Sequence, residues 1–310
     1  MANISQMLAA SYPAVYADKK KAANQWSENA FTRELEKQGG IKRKSFGPTI
    51  EATMDYQSNP GTEFLSTELQ TTSLTKTEVV TAASYTPAEL SVPMTWSKRD
   101  EMENPSENQK IALVAQILDN GFESHDDAVE KGLLAATATN GFESFPDYFP
   151  TSGQGSVGGV DSATSLWWRH FSNTYVDDTD IESAMTIGWN QAAKGSGSTA
   201  APTLLVSDAT TQATFEGTQQ ANQRYVDSEE LKAGFKVLAF KTARYIFSQY
   251  GTTSIFMFNP KSVWMAVSKE FFREKGEVQE IQNAQGYTCK LYSGLQLITN
   301  NKSRVSIVHL

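Results

Sequence analysis

Ile50, Ala52, Met54 and Tyr56 alternate with Glu51, Thr53, Asp55 and Gln57. Successive side chains of a strand point to opposite faces, so this period of two predicts a half-buried strand. Asn59-Pro60-Gly61 is a turn signal. Leu74 to Tyr85 is rich in Thr and Val and predicts another strand, because β-branched side chains fit a pleated surface. Leu90, Val92, Met94 and Trp96 then alternate with Ser91, Pro93 and Thr95. Pro93 has no N–H to give to a ladder, which predicts that this strand lies at a sheet edge or carries a break.

Past residue 104 the period becomes helical. Asn104 suits an N-cap, Pro105 the first helical position and Glu107 the acid of a capping box. Ile111, Val114, Leu118, Phe122, His125, Val129, Leu133 and Ala136 recur at three- and four-residue steps. These positions share one face and predict a single helix over about 105–138, about 50 Å long. Ordinary helices are about a third of that length. Gly121 and Gly132 each cost about 1 kcal/mol relative to Ala and mark a bend or a close contact. Asn140-Gly141 ends the helix.

Elsewhere the patterns are shorter. Trp26, Ala30, Phe31 and Leu35 predict a short helix stopped by Gly39-Gly40. Residues 141–165 are rich in Gly, Ser and Pro and read as a linker or an ordered loop. Ile181 to Ala193 predicts a helix, Lys194 to Ala201 a flexible connection, and Thr203-Leu204-Leu205-Val206 a short buried strand. Ser207 or Asp208 is placed to cap a helix running through Phe215. Phe235–Phe240, Tyr245–Phe247 and Ile255–Phe258 predict strands, and Lys261–Ala266 fits a helical turn or a strand. Thr288–Tyr292, Leu295–Thr299 and Val305–His309 predict closing strands.

A chain of 310 residues, 39% apolar, can bury one or two cores, and its length suggests about two domains. No apolar run approaches the roughly 20 residues that cross a bilayer, so no membrane partner is expected. Met1-Ala2-Asn3-Ile4-Ser5 lacks the basic start and apolar stretch of a secretory signal. The single cysteine, Cys289, rules out an intrachain disulfide and fits synthesis in a reducing compartment. A net charge of −8 argues against a generally basic nucleic-acid binder. The charge is uneven. Residues 1–46 hold eight bases (Lys19, Lys20, Lys21, Arg33, Lys37, Lys42, Arg43, Lys44) against four acids (Asp18, Glu28, Glu34, Glu36), so that segment is +4 and the remainder −12. A basic arm on an acidic body suits contact with nucleic acid or with an acidic partner surface.

Residue types that carry chemistry are sparse. His125, His170 and His309 are far apart and form no HExxH or similar spacing. His125 falls on the apolar face of the long helix, as a packing histidine does, and the adjacent His125-Asp126-Asp127 point around the helix rather than converging. His309, next to the last residue, reads as a surface side chain. Cys289 falls in a predicted strand without a nearby histidine and reads as a buried, inert thiol. No Gly-x-x-x-x-Gly-Lys-Ser/Thr run occurs. Gly153-Gln-Gly155-Ser-Val-Gly158 matches GxGxxG spacing, but it follows no clear strand and opens no amphipathic helix, so it reads as a loop. Asp177-Asp178-Thr179-Asp180 lacks the full loop and distal glutamate of an EF-hand and is placed to cap the helix after it. Glu229-Glu230 is the kind of carboxylate pair that arises by chance among 35 acids. No catalytic residue, cofactor or metal site follows, and the chain does not read as an enzyme.

The order and length of these elements resemble the major capsid proteins of tailed bacteriophages with the Hong Kong 97-type fold. The resemblance covers essentially the whole chain. Its parts are an arm at 1–46, Thr-rich strands at 47–98 and a helix opening at Asn104-Pro105-Ser106-Glu107. A helix–strand–helix run follows at Ile181–Glu216, with Thr203-Leu204-Leu205-Val206-Ser207-Asp208 inside it, then Gln223-Arg224-Tyr225 and Gly234-Phe235. It implies an α+β fold with an N-terminal arm (1–46), an extended β-hairpin E-loop (47–98) and a peripheral (P) domain (99–165 and 268–310) built on a spine helix at about 105–138. An axial (A) domain (166–267) completes it. It also implies a coat protein that self-assembles into hexamers and pentamers, forming an icosahedral head around double-stranded DNA. The protein would be made in the host cytoplasm and reside in the virion.

No long segment precedes the arm, which implies a separate scaffold; portal and decoration proteins are further implied partners. In such a shell the E-loop strands lie across a neighbour. Ile50, Met54, Tyr56, Leu90, Val92 and Trp96 are then candidate inter-subunit contacts, with Lys42, Arg43 and Lys44 as basic ones. Packaged DNA would meet an acidic or neutral wall, with basic contact coming from the arm. Two alternatives stay open: an encapsulin-like nanocompartment shell, and, from a different class, a soluble enzyme or ligand-binding domain with a Gly-rich loop at 151–160.

Overall fold

Phe31 and Leu35 lie one turn apart and both are fully buried, which seats helix α1 (Ala30–Lys37) in the core. Gly39, at φ 72°, closes it, and Gly40 N–H donates to Leu35 O at 2.7 Å. The computed structural model describes residues 29–59, 61–66, 78–103, 107–135, 141–193, 201–218 and 238–310. Several predicted features lie outside the described residues: 1–28 with Trp26, Pro60, strand residues 74–77, the cap Asn104-Pro105-Ser106, the helix tail with Ala136, and Asn140. So do the connection 194–200, Gln223-Arg224-Tyr225, Glu229-Glu230 and Gly234-Phe235.

The chain continues through β1 (Ile41–Lys44), β2 (Ile50–Asp55), β3 (Val80–Tyr85) and β4 (Ala88–Ser97) into α2 (Lys98–Glu103) and α3 (Glu107–Leu134). After α4 (Phe145–Tyr148) come β5 (Ser156–Val157), β6 (Val160–Asp161), β7 (Phe171–Thr174), α5 (Ile181–Ala192), β8 (Leu204–Ser207) and α6 (Ala209–Thr218). The strands β9 (Leu238–Phe240), β10 (Ala243–Phe247), β11 (Ile255–Phe258), β12 (Val263–Ser268), β13 (Glu274–Lys275), β14 (Gln279–Glu280), β15 (Gly286–Thr299) and β16 (Ser306–His309) close it. This is an α+β chain with mixed sheets. As the alternation predicts, β2 buries Ile50, Ala52 and Met54 and exposes the residues between. It pairs with β3 as an antiparallel hairpin, Ile50 opposite Tyr85 and Asp55 opposite Val80.

The first sheet is built on the 14-residue β15. One of its edges carries β12 and then β13 and β14, and the other carries β4; β1 lies beside β12 in parallel. Pro93 stands opposite Lys290 in a strand paired with β15 alone among the described residues, the edge position that a missing N–H requires. The 28-residue α3 lies on this sheet, where Val114, Leu118 and Phe122 pack with Met94, Trp96, Cys289 and Leu291. Its glycines mark close contacts: a Cβ on Gly121 would collide with Met94 Sδ, and one on Gly132 with the Phe142 ring.

The second sheet runs β7-β16-β11-β8-β10-β9. Leu204, Val206, Phe256, Phe258 and Ile307 join the main core, while Leu205, Tyr245, Met257 and Val308 pack on the other side with Ile181 and Met185 of α5 and Phe215 of α6. Both faces are buried, which is why β8 and β11 read as unbroken apolar runs. Asp208 caps α6, its Oδ1 accepting from Thr211 N–H at 2.9 Å.

The structure sharpens the sequence reading in four places. Of the two readings open for Lys261–Ala266, the strand holds from Val263, where β12 (Val263–Ser268) is buried at every position. The first two predicted closing strands are one strand, β15. The bounds 166–267 and 268–310 do not follow the sheets, because β12 joins the first and β16 the second. Asp177–Asp180 makes a 3-10 turn into α5 without a side-chain cap hydrogen bond.

Candidate functional site

The nine residues singled out from sequence lie on β1, β2 and β4 and at the mouth of the hairpin. Three of the nine are buried in the isolated chain. Ile50 and Met54 are 6% and 8% exposed and Trp96 is 4% exposed, all packed within their own chain. Ile50 and Met54 belong to the main core, and the Gly-rich loop packs against the partner strand β3. Gly158 lies so close to Ala83 and Tyr85 that a Cβ there would clash, and Ser84 N–H donates to Gly158 O at 2.9 Å. Tyr85 OH donates to Thr299 O at 2.6 Å, which fixes the hairpin base to β15. Trp96 is covered by α3. Tyr56, Leu90 and Val92 remain half-buried, with the Tyr56 ring 5.3 Å from that of Trp167.

Lys42 and Lys44 place their Nζ atoms 4.5 and 4.6 Å from the Trp264 ring centroid, and the Arg43 guanidinium lies 5.9 Å from the Phe272 ring. Burial lowers the Lys42 pKa, with the neighbouring Lys44 charge adding to the effect. These bases are anchored on an edge strand of the first sheet. Sequence reasoning missed Phe64 and Leu65 beyond the hairpin turn; Phe64 is fully exposed and Leu65 largely so. An isolated apolar pair has no period, so its only signal is the polar company around it.

Sequence reasoning also missed a polar junction on one turn of α3. His125 Nδ1–H donates to Asp126 Oδ1 at 3.1 Å, and its Nε2 accepts from Ser293 Oγ at 2.8 Å. Asp126 pairs with Arg273, whose backbone N–H donates to Ser293 Oγ at 2.8 Å and whose φ of 55° is left-handed. Tyr250 OH donates to Asp127 Oδ1 at 2.6 Å. Glu130 accepts from Thr32 N–H (3.2 Å) and Oγ1 (3.0 Å) and from Ser248 Oγ (2.6 Å). One helical turn thereby holds α1, the end of β10 and the β13–β15 region together. Burial pushes the His125 pKa down. Burial likewise pushes Glu130 up, against the pull of its three hydrogen bonds.

The other candidate groups serve packing. Burial first, and the Lys302 charge second, lower the His170 pKa to about 4, and its Nε2–H donates to Pro150 O at 2.8 Å. His309 Nε2 lies 3.2 Å from Ser172 Oγ. Burial raises the Cys289 thiol, which points at Gly276 O. Gly153, Gly155, Gly158 and Gly159 all have positive φ, and the last two make the turn between β5 and β6. The cation beside Gly155 is already engaged within the fold. The buried Lys302 donates to Gly155 O and Ser162 Oγ, both at 3.2 Å, and burial lowers its pKa to about 8. Among the described residues, no three His, Cys, Asp or Glu side chains are placed to hold a metal ion, and no helix is long and apolar enough to cross a membrane.

No family model matches the chain, and no curated protein matches it in sequence. Solved structures do. The chain is similar to a subunit of the cyanophage A-1(L) capsid, with a TM-score of 0.60 and 13% identity over 87% of this chain and 90% of that one. It is similar to the capsid of the native GTA particle, with a TM-score of 0.57 and 10% identity over 88% of each chain. The SrpI encapsulin of Synechococcus elongatus matches with a TM-score of 0.54 and 9% identity over 87% of this chain and 84% of that one. At these identities the likeness is one of fold: the chain has the α+β fold of phage major capsid proteins.

Proposed function

We propose that this chain is the major capsid protein of a tailed phage, assembling with itself into hexamers and pentamers of an icosahedral head around double-stranded DNA. The likeness to shell subunits over nearly nine-tenths of the chain carries the reading. Residues 1–46 then act as the arm, the hairpin within 47–98 as the E-loop, α3 as the spine helix, the first sheet as the P domain and the second as the A domain of a Hong Kong 97-type subunit. Phe64 and Leu65 at the hairpin tip, Tyr56, Leu90 and Val92 beside it, and the basic edge Lys42-Arg43-Lys44 are the contacts offered to a neighbour. Burial of apolar area contributes about 25 cal/mol per Å² before association costs, so many modest contacts sum to a closed shell. Separate scaffold, portal and decoration proteins complete the particle, and packaged DNA is met without sequence preference.

The encapsulin match favours a second reading, a nanocompartment enclosing protein cargo. Negative-stain microscopy of the purified full-length chain tests the shell itself. Closed particles or capsomers are expected, and a discrete monomer or dimer with a measurable ligand would sink both shell readings. Nuclease-protected DNA inside native particles supports the phage head; protein contents support the compartment.

A further inference from the structure

The first sheet carries a groove of about 500 Å³ lined by residues 46–47, 87–90 and 292–294 and by Ser268, Glu270, Phe271, Glu274 and Gly276. Its walls include Phe46, Leu90, Phe271 and Tyr292, and the last two remain 55% and 41% exposed. Glu89, Glu270 and Glu274 also line it, all exposed, and no lysine or arginine does. Exposed aromatic walls rimmed by carboxylates fit an occupant that is both apolar and cationic. We propose that residues 8–21 of this chain occupy the groove, with Tyr12, Val15 and Tyr16 against the aromatic walls and Lys19-Lys20-Lys21 facing the three glutamates.

Charge separates this segment from the other candidates: residues 219–237, also outside the described residues, carry three bases against three acids and offer no net attraction. The hairpin tip is apolar at Phe64 and Leu65, but residues 61–80 carry three acids against one base, and Glu63 adjoins Phe64. Like charge opposes its entry. Residues 8–21 carry three bases against one acid. They belong to the 28 residues that precede the described chain and end at Asn29. Eight residues separate Lys21 from Asn29, a tether of at most about 28 Å, so the groove it fills, in the same copy or an adjacent one, must lie within that distance of Asn29. The proposal does not depend on the shell reading, because the contact is expected whether or not particles form.

Zero-length carbodiimide coupling on the purified full-length chain, followed by peptide mass spectrometry, tests it. Amide links from Lys19, Lys20 or Lys21 to Glu89, Glu270 or Glu274 are expected. Raising the salt concentration before coupling is expected to lower their yield. Phe271→Ser leaves all three carboxylates in place and removes an exposed wall; it is expected to cut the yield roughly fivefold, in line with the loss of one aromatic contact. Tyr292→Ser gives a second, independent wall. Absence of these links overturns the proposal, as does a yield unchanged in both variants. So does finding that the three lysines couple to nothing in the groove while their replacement releases co-purifying nucleic acid, which would make the segment a nucleic-acid arm.

Discussion

Glu130 is 3% exposed, yet three donors converge on its carboxylate. Burial raises its pKa above the ordinary 4.5, so the folded chain keeps this proton to higher pH than the unfolded chain does. The stability contributed is therefore full below the unfolded value and is lost as pH rises through the raised folded value. Glu130→Gln stays neutral throughout, keeps an acceptor for Thr32 and offers an N–H to the Ser248 hydroxyl. The urea midpoint of the variant minus that of the wild type should grow from acid toward neutral pH and then level off. A difference that stays flat would mean that Glu130 is not held with a raised pKa. Leu118, 5% exposed among Met94, Trp96 and Leu291, tests the buried face of α3. Ile111, on the same predicted face, has its side chain outside the described residues. Leu118→Ala should cost about 3 kcal/mol, read as a shift in urea midpoint. A loss under about 1 kcal/mol would place the core elsewhere.

The hairpin and the strand after it are different devices, although one alternating pattern runs through both. Removing all of 47–98 would take away β2 and β4, whose side chains fill the core, and would unfold the chain. The informative deletion is the tip alone. Tyr56 N–H donates to Val79 O at 3.0 Å, so joining 56 to 79 through Asn-Gly leaves the ladder intact. That variant should melt like the wild type and fail to form closed particles under the electron microscope. Normal particles would remove the hairpin tip from assembly. The pattern made much of this legible. Period two located β2, Pro93 put β4 at an edge, and the three- and four-residue steps located α3. What it left out was the partner of each buried face. Ile50, Met54 and Trp96 read as half-buried, but Ile50 and Met54 join the main core with Tyr85 and Val157, and Trp96 packs under α3, partners that the local pattern does not name. For the same reason the junction at His125–Glu130 was unreadable: its partners Thr32, Ser248 and Tyr250, Arg273, and Ser293 come from four separate stretches of chain. The exposed Phe64-Leu65 pair has no periodic signature at all.

At the scale of the whole molecule, the two sheets share one core. Leu204, Val206, Phe256, Phe258 and Ile307 of the second sheet pack in the same cluster as Met265, Leu295 and Leu297 of the first and Phe31 of α1. The chain itself laces the sheets together, since β12 and β15 in the first lie between β11 and β16 of the second along the sequence. Separating the sheets would expose this cluster and part Glu130 on α3 from Ser248 at the end of β10. The exposed apolar area alone costs about 25 cal/mol per Å². A half-folded intermediate with one intact sheet is therefore disfavoured on both counts. The isolated subunit is expected to unfold in a single transition, with calorimetric and van't Hoff enthalpies in agreement. Trp264 in the first sheet and Trp189 on α5 should report the same urea midpoint when each is left as a local fluorescent probe. Two separated midpoints would show that the sheets are independent modules, and a shell built from such subunits could hinge between them. One midpoint means that the two sheets fold and unfold as a single cooperative unit.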